Sequence, residues 1–333
     1  IIFGVSMYRG TPIMDSLMFS ISLAVAAIPE ALSSIITIVL ALGTRKLAEE
    51  NAIIRKLHSV ENLGSISIIC SDKTGTLTQN KMTVQKIFTN HQLVDANEID
   101  KENKLHHKLV VAGLLCSDAV TLHGKEIGDP TEIALVDLGE RLHLDELIVR
   151  ENIPRLSELP FESDRKLMTT LQLIDGKTVV FTKGAIDVLI NRSTHIETAE
   201  GVRPITQTDI DTYNQINFEL ANEGLRVLAF AWKEVETETL TLVHENEMTL
   251  FGLVAMMDPP RAESKGAVES CIAAGIKPIM ITGDHKVTAA AIARQIGILN
   301  EGGQAIEGTD IEHLTEEELI ELVPKVSVYA RVS

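Results

Sequence analysis

Cys70-Ser71-Asp72-Lys73-Thr74-Gly75-Thr76-Leu77-Thr78 follows the apolar run Ile66 to Ile69. A short run of β-branched residues broken by one small polar residue suits a parallel strand buried on both faces. In open α/β sheets the reacting groups gather beyond the carboxyl ends of such strands. Asp72 is therefore expected at the mouth of a buried strand, as a nucleophile. A carboxylate is ionised at neutral pH and can attack phosphorus once cationic groups screen the incoming phosphate. Lys73 and a magnesium ion are the groups expected to screen it. The plainer reading of Asp-Lys-Thr-Gly alone is a polar turn after a strand.

Upstream, Ser16 to Gly43 carries one formal charge, Glu30. About 20 apolar residues suffice to span a bilayer, so 14–46 is expected as a transmembrane helix and 1–8 as the tail of a preceding span. Arg45, Lys46, Arg55 and Lys56 follow the span, which places the chain after about residue 46 in the cytoplasm. A start in mid-membrane implies a piece of a longer protein. An ionisable group within such a helix is costly and marks an ion path. Pro29 removes a backbone donor, so carbonyls around Val25, Ala26 and Ile28 can join the Glu30 carboxylate in an oxygen-lined cation site. Calcium accepts that donor set, whereas copper or zinc would want thiolates; manganese and sodium stay open. The bland alternative is a kinked helix with a protonated or paired Glu30.

The 333 residues are 45% hydrophobic, enough for real cores, and exceed one ordinary domain. A net charge of -17 lacks the basic footprint of nucleic-acid binding. Cys70, Cys116 and Cys271 show no metal-type spacing and read as reduced, buried thiols.

Residues 86–246 mix short strands with amphipathic helices and read as a domain inserted between 47–85 and 247–333. Within it, Phe161-Glu162-Ser163-Asp164-Arg165-Lys166 and the strand Thr178 to Lys183, ending at Gly184-Ala185, suit a nucleotide pocket. An aromatic face can stack on a purine, and a lysine beside a glycine can approach it closely. Taken alone, Phe161 reads more often as core and Lys183 as a solvated strand end. From Leu250 the buried α/β pattern returns: a strand at 253–257, a helix at 262–274, and a second strand at 277–281 ending in Thr282-Gly283-Asp284. Thr282 offers a hydroxyl, Gly283 an amide, and the helix starting near Lys286 its N-terminal dipole to a phosphate.

Asp72 to Thr78 resembles the signature of P-type ATPases, pumps that form an aspartyl phosphate in each transport cycle. Pro29-Glu30-Ala31-Leu32 is similar to the fourth-helix motif of their type II cation pumps, where Pro-Glu-Gly-Leu is usual; Ala31 and Ser33 depart from it. Gly128-Asp129-Pro130-Thr131-Glu132, Phe161, Lys166, Lys183-Gly184-Ala185, Gly224-Leu225-Arg226 and Asp258-Pro259-Pro260-Arg261 follow in the family's order. The resemblance implies an incomplete haloacid dehalogenase-like, Rossmann-like α/β phosphorylation domain with an inserted α+β nucleotide-binding domain, preceded by the membrane helix. It also implies ATP and Mg2+. Phe161 would stack on adenine, with Glu132, Lys166, Lys183 and Gly184 around the base and Arg226 on the phosphates. Asp258 would lie at a hinge beside the nucleotide, Thr74 would offer its carbonyl to magnesium, and Thr76, Thr282, Gly283 and Asp284 would serve the phosphate. Ser163 stands where reticulum-type calcium pumps carry an arginine.

Soluble phosphatases of the same fold carry a second aspartate where this chain has Thr74, so an aspartyl phosphate here should persist. Ser333 precedes the point where the family supplies a phosphate-binding lysine and the Gly-Asp-Gly-x-Asn-Asp loop, and no Thr-Gly-Glu-Ser is present. The expected parent is an ATP-driven pump, calcium first, working with its remaining domains in a lipid bilayer. The alternatives are a soluble phosphatase or a stand-alone nucleotide-binding module.

Overall fold

The computed structural model describes residues 1–27, 31–56, 58–122 and 125–332. They form two compact units, Ile1–Ser67 and Ile68–Ser333.

The first unit contains the helices Ile2–Tyr8, Ile13–Ala26, Ala31–Glu49 and His58–Leu63. Apolar side chains along the middle two, among them Phe19, Leu23, Ile35 and Val39, are exposed. Among the described residues no helix is long and apolar enough to cross a membrane. Within the single spanning helix expected over 14–46, the described residues form two helical segments. Ile13–Ala26 has 14 residues and ends at the Ala27 cap, a rise of about 21 Å against a hydrocarbon core of about 30 Å. Ala31–Glu49 has 19 residues, but its last turns carry Arg45, Lys46 and Glu49. Ile28, Pro29 and Glu30 lie outside the described residues. Val25 and Ala26, expected as carbonyl ligands, form the exposed end of the first of the two helices.

The second unit is built on two sheets. One is parallel and four-stranded, in the order Ile68–Asp72, Lys277–Thr282, Val326–Ala330, Gln304–Glu307. Its register sets Asp72 opposite Ile281 and Thr282 opposite Ala330, so the chemistry-bearing residues emerge at one end of the sheet. The helix Lys286–Gln295 lays Ala289, Ile292 and Ala293 over this sheet, against Met280 and Val328. Small residues along that face let helix and sheet approach closely.

The expectation of a strand buried on both faces before Asp72 is corrected. Ile68–Asp72 is the edge strand of the sheet, alternates exposed with half-buried positions, and leaves Ile68 46% exposed. The β-branched run reports strand propensity here, and burial depends on neighbours that an edge lacks.

The other sheet has nine strands among the described residues and is mostly antiparallel. Its centre is Met248–Met257, buried at every position, flanked by Arg226–Val235 and Thr83–Thr89. The strand expected over 253–257 is thus the end of a longer one, and it lies in this sheet rather than beside Ile68–Asp72. One face packs on the helices Lys104–Leu115 and Pro130–Arg141 through Leu109, Leu135, Leu138 and Phe251. The other packs on Gln207–Asn222 and Ile186–Leu189 through Tyr213, Leu189 and Leu253. Of the three free cysteines only Cys116 is buried, where desolvation pushes its thiol up; Cys70 is exposed and Cys271 half-buried.

Candidate functional site

Asp72 ends its strand with an exposed carboxylate whose Oδ1 accepts from the Thr74 amide at 3.2 Å, capping the turn that follows. That turn closes through the Thr78 amide and hydroxyl, both donating to the Lys73 carbonyl at 3.0 Å. Thr74 and Thr76 are exposed. Lys73, expected to screen Asp72, is buried and forms its ion pair with Asp284. The pairing follows from the sheet, because adjacent parallel strands bring both turns to the same end. Thr282 is buried, and its hydroxyl accepts from the Asp284 amide at 3.1 Å, leading into the helix that starts at Lys286.

Asp258 ties together the two crossings between the sheets. Its Oδ2 accepts from the Thr78 hydroxyl at 2.5 Å and its Oδ1 from the Lys81 amide at 3.1 Å. Arg261 reinforces the link, donating from its amide to the Leu77 carbonyl at 2.9 Å and from its guanidinium to the Gly75 carbonyl at 3.0 Å. A cavity of about 510 Å³ opens beside this junction, lined among others by Lys73, Arg226, Asp258, Gly283 and Asp284.

A second cavity, of about 360 Å³, gathers Glu132, Phe161, Lys166, Lys183, Gly184 and Arg226. The helix Pro130–Arg141 begins in it, with the Asp129 carboxylate accepting from the Thr131 amide at 2.8 Å and proline in the first turn, where its missing donor costs nothing. Gly128 precedes that cap at φ +143, and a Cβ there would sit 2.7 Å from Ala119. On the wall, Lys183 reaches the Glu132 carboxylate at 2.6 Å, and both are largely buried. The other Glu132 oxygen accepts from the amides of Asp118 at 2.8 Å and Ala119 at 3.2 Å. Gly184 is required where it stands, since a Cβ would meet the Lys166 carbonyl at 2.2 Å. Phe161 is 59% exposed and presents its ring to the opening. Lys166 is more exposed than Lys183 and pairs with Asp187 at 3.0 Å.

The two cavities share Arg226, which donates to the Thr131 hydroxyl at 2.8 Å. Asp72, Thr74 and Thr76 line neither cavity. Further residues enter the site to which no individual role was assigned from sequence. Asp129 and Thr131 line the second cavity and were legible as a helix cap followed by proline. The Asp118 and Ala119 amides had no signal, because backbone donors are anonymous in a sequence.

Residues 105–263 match the family described as P-type ATPase, cytoplasmic domain N. Over 329 residues the chain is 46% identical to calcium-transporting ATPase 1 of Lactococcus lactis, covering 96% of this chain and 37% of that protein. It is 36% identical over 356 residues to the calcium-transporting ATPase of Bacillus subtilis, covering 100% of this chain and 40% of that protein. Over 347 residues it is 37% identical to human calcium-transporting ATPase type 2C member 1, covering 97% of this chain and 36% of that protein. The chain therefore spans well under half the length of these relatives.

Proposed function

We infer that this chain, which carries the cytoplasmic domain N of the P-type ATPases, belongs to an ATP-driven cation transporter phosphorylated on Asp72. The observation that carries this reading is the cavity collecting Glu132, Phe161, Lys166, Lys183, Gly184 and Arg226, joined through Arg226 to the one beside Lys73 and Asp284. Adenine stacks on the exposed Phe161 ring, between the buried Lys183–Glu132 pair and Lys166. The phosphates extend past Arg226, whose forked guanidinium suits phosphate oxygens.

The strand ends fit the chemistry of a haloacid dehalogenase-like phosphorylation domain. An Asp72 oxygen attacks the γ-phosphorus, the bond to the β-phosphate oxygen breaks, and ADP leaves with that electron pair. Thr282 and Gly283 offer donors to the transferred group. Among the described residues no cluster of three acidic, histidine or cysteine side chains could hold a metal ion. Asp72 and the Thr74 carbonyl would hold the magnesium that accompanies ATP, and the ion would supply neutralisation of phosphate charge. With Thr74 in place of an activating carboxylate, the aspartyl phosphate outlives the phosphoryl transfer, which a pump needs and a simple phosphatase does not.

Calcium is the proposed cargo, since the relatives named above are calcium-transporting and Glu30 offers an oxygen ligand. The exposed apolar faces of Ile13–Ala26 and Ala31–Glu49 support seating the first unit in a bilayer.

Acid-quenched labelling with γ-labelled ATP and magnesium, beside Asp72→Asn, tests the phosphoryl transfer. The expected label is absent from the variant and released by hydroxylamine. Saturable ATP binding with no label would reduce the chain to a nucleotide-binding module, and steady phosphate release from small esters would make it a phosphatase. In the longer protein, Glu30→Gln should abolish calcium-dependent labelling while ATP binding persists; unchanged calcium dependence would remove Glu30 from the site.

A further inference from the structure

We propose that Glu245 is a positioning residue of the nucleotide cavity, setting the pose of Phe161 through Arg165; this rests on the nucleotide reading above. Glu245 ends the short turn Leu242–Glu245, far in sequence from the motifs around the cavity, and its carboxylate is fully buried. It accepts from three side chains: Arg165 Nη1, Thr169 Oγ1 at 2.7 Å, and Arg192 Nη1 at 2.9 Å. A carboxylate this deep is expensive, and an apolar residue of similar volume would serve stability as well or better. Its presence is explained by what the arginine it holds does next.

Arg165 is itself nearly buried, and its Nη2 donates to the Pro160 carbonyl at 2.5 Å while Nε faces Glu162 at 3.4 Å. Those contacts bracket Phe161. The bracket is needed because pairing between Arg155–Glu162 and Leu167–Ile174 slips between Leu159 and Glu162, leaving Pro160 and Phe161 outside the ladder. Phe161 is mostly exposed, so packing does not hold its ring either. The guanidinium supplies the hydrogen bond that the ladder omits, and Glu245 fixes the guanidinium. The same carboxylate reaches the opposite wall: Thr169 touches the Thr182 hydroxyl at 3.0 Å, next to Lys183. One buried anion thus backs both the stacking residue and the buried lysine.

The test measures ATP and inorganic tripolyphosphate binding to the full chain by calorimetry, with Glu245→Gln and Arg165→Met each placed in the native and the Phe161→Ala background. Arg165→Met leaves Glu245 its bonds to Arg192 and Thr169, and decides the question where Glu245→Gln does not fold. Because stacking on an aromatic is worth a measurable part of nucleotide affinity, each variant should raise the ATP Kd about tenfold in the native background. In Phe161→Ala the same changes should shift it less than about twofold, since two mutations acting through one contact do not add. Tripolyphosphate binding should not move. An equal shift in both backgrounds, or no shift in a folded variant, overturns the proposal. Should Phe161→Ala alone leave ATP binding intact, the nucleotide reading of the cavity falls and takes this inference with it; a Phe161 effect without a Glu245 or Arg165 effect removes only the inference.

Discussion

Arg226 donates to the Thr131 hydroxyl at 2.8 Å at the point where the two cavities of the second unit meet. The side chain is held by a neutral partner, so its charge remains to be used. Arg226→Ala should therefore weaken ATP about tenfold and AMP less than about twofold, the difference being loss of charge-assisted contacts to the outer phosphates. Calorimetry with the two nucleotides separates the cases, and equal losses would place Arg226 on the base instead.

Lys183 and Glu132 lie 2.6 Å apart with side chains 7% and 14% exposed. Removing one partner strands the other in a poorly solvated wall. Lys183→Met should destabilise the second unit by about 2–4 kcal/mol in urea unfolding, because the Glu132 carboxylate keeps only two amide donors. Adding Glu132→Gln should recover part of that loss, since an amide needs no counter-charge. Additive losses in the double variant would mean that the pair is not an energetic unit.

The parallel strand ending at Asp72 and the one ending at Thr282 were legible because an apolar run feeding a polar turn carries its own direction. The cavity residues were legible only in company: Phe161 and Lys183 are ambiguous singly, and the structure places them with Glu132 and Arg226 around one cavity. Burial was misread at Ile68–Asp72, where β-branched composition does not tell a central strand from an edge. Glu245 was invisible, for a lone glutamate in a turn gives no hint that two arginines will close on it.

Asp258 accepts from Thr78 on one chain crossing and from Lys81 just beyond it, so one carboxylate braces the junction between the sheets. Hydrogen bonds to a charged acceptor are worth about 1.5–3 kcal/mol each. Asp258→Ala should accordingly lower stability by about 2–4 kcal/mol. It should also speed amide exchange at Lys81 while leaving the distant helix Lys104–Leu115 protected. Uniform acceleration across the unit would indicate global rather than local loosening.

Asp209 is buried at the start of the helix Gln207–Asn222, where both its oxygens accept from Arg203, at 2.7 and 2.8 Å, and Oδ2 also from the Thr206 amide at 2.8 Å and hydroxyl at 2.6 Å. The Arg203 guanidinium, followed by the Thr206 donors, holds its carboxyl far below the ordinary value of 3.8. A folded-state value below the unfolded one means that the unfolded chain binds the extra proton first. The stabilisation is thus fully present above about pH 4 and is lost as pH falls further, through the folded-state value. Asp209→Asn should cost about 1–2 kcal/mol at pH 7, from the cap and the charged bonds together. The gap between native and variant proteins in urea unfolding should narrow steadily from about pH 4 to about pH 2.5. A gap that stays constant over that range would show that the carboxylate charge contributes nothing and that shape alone holds the helix start.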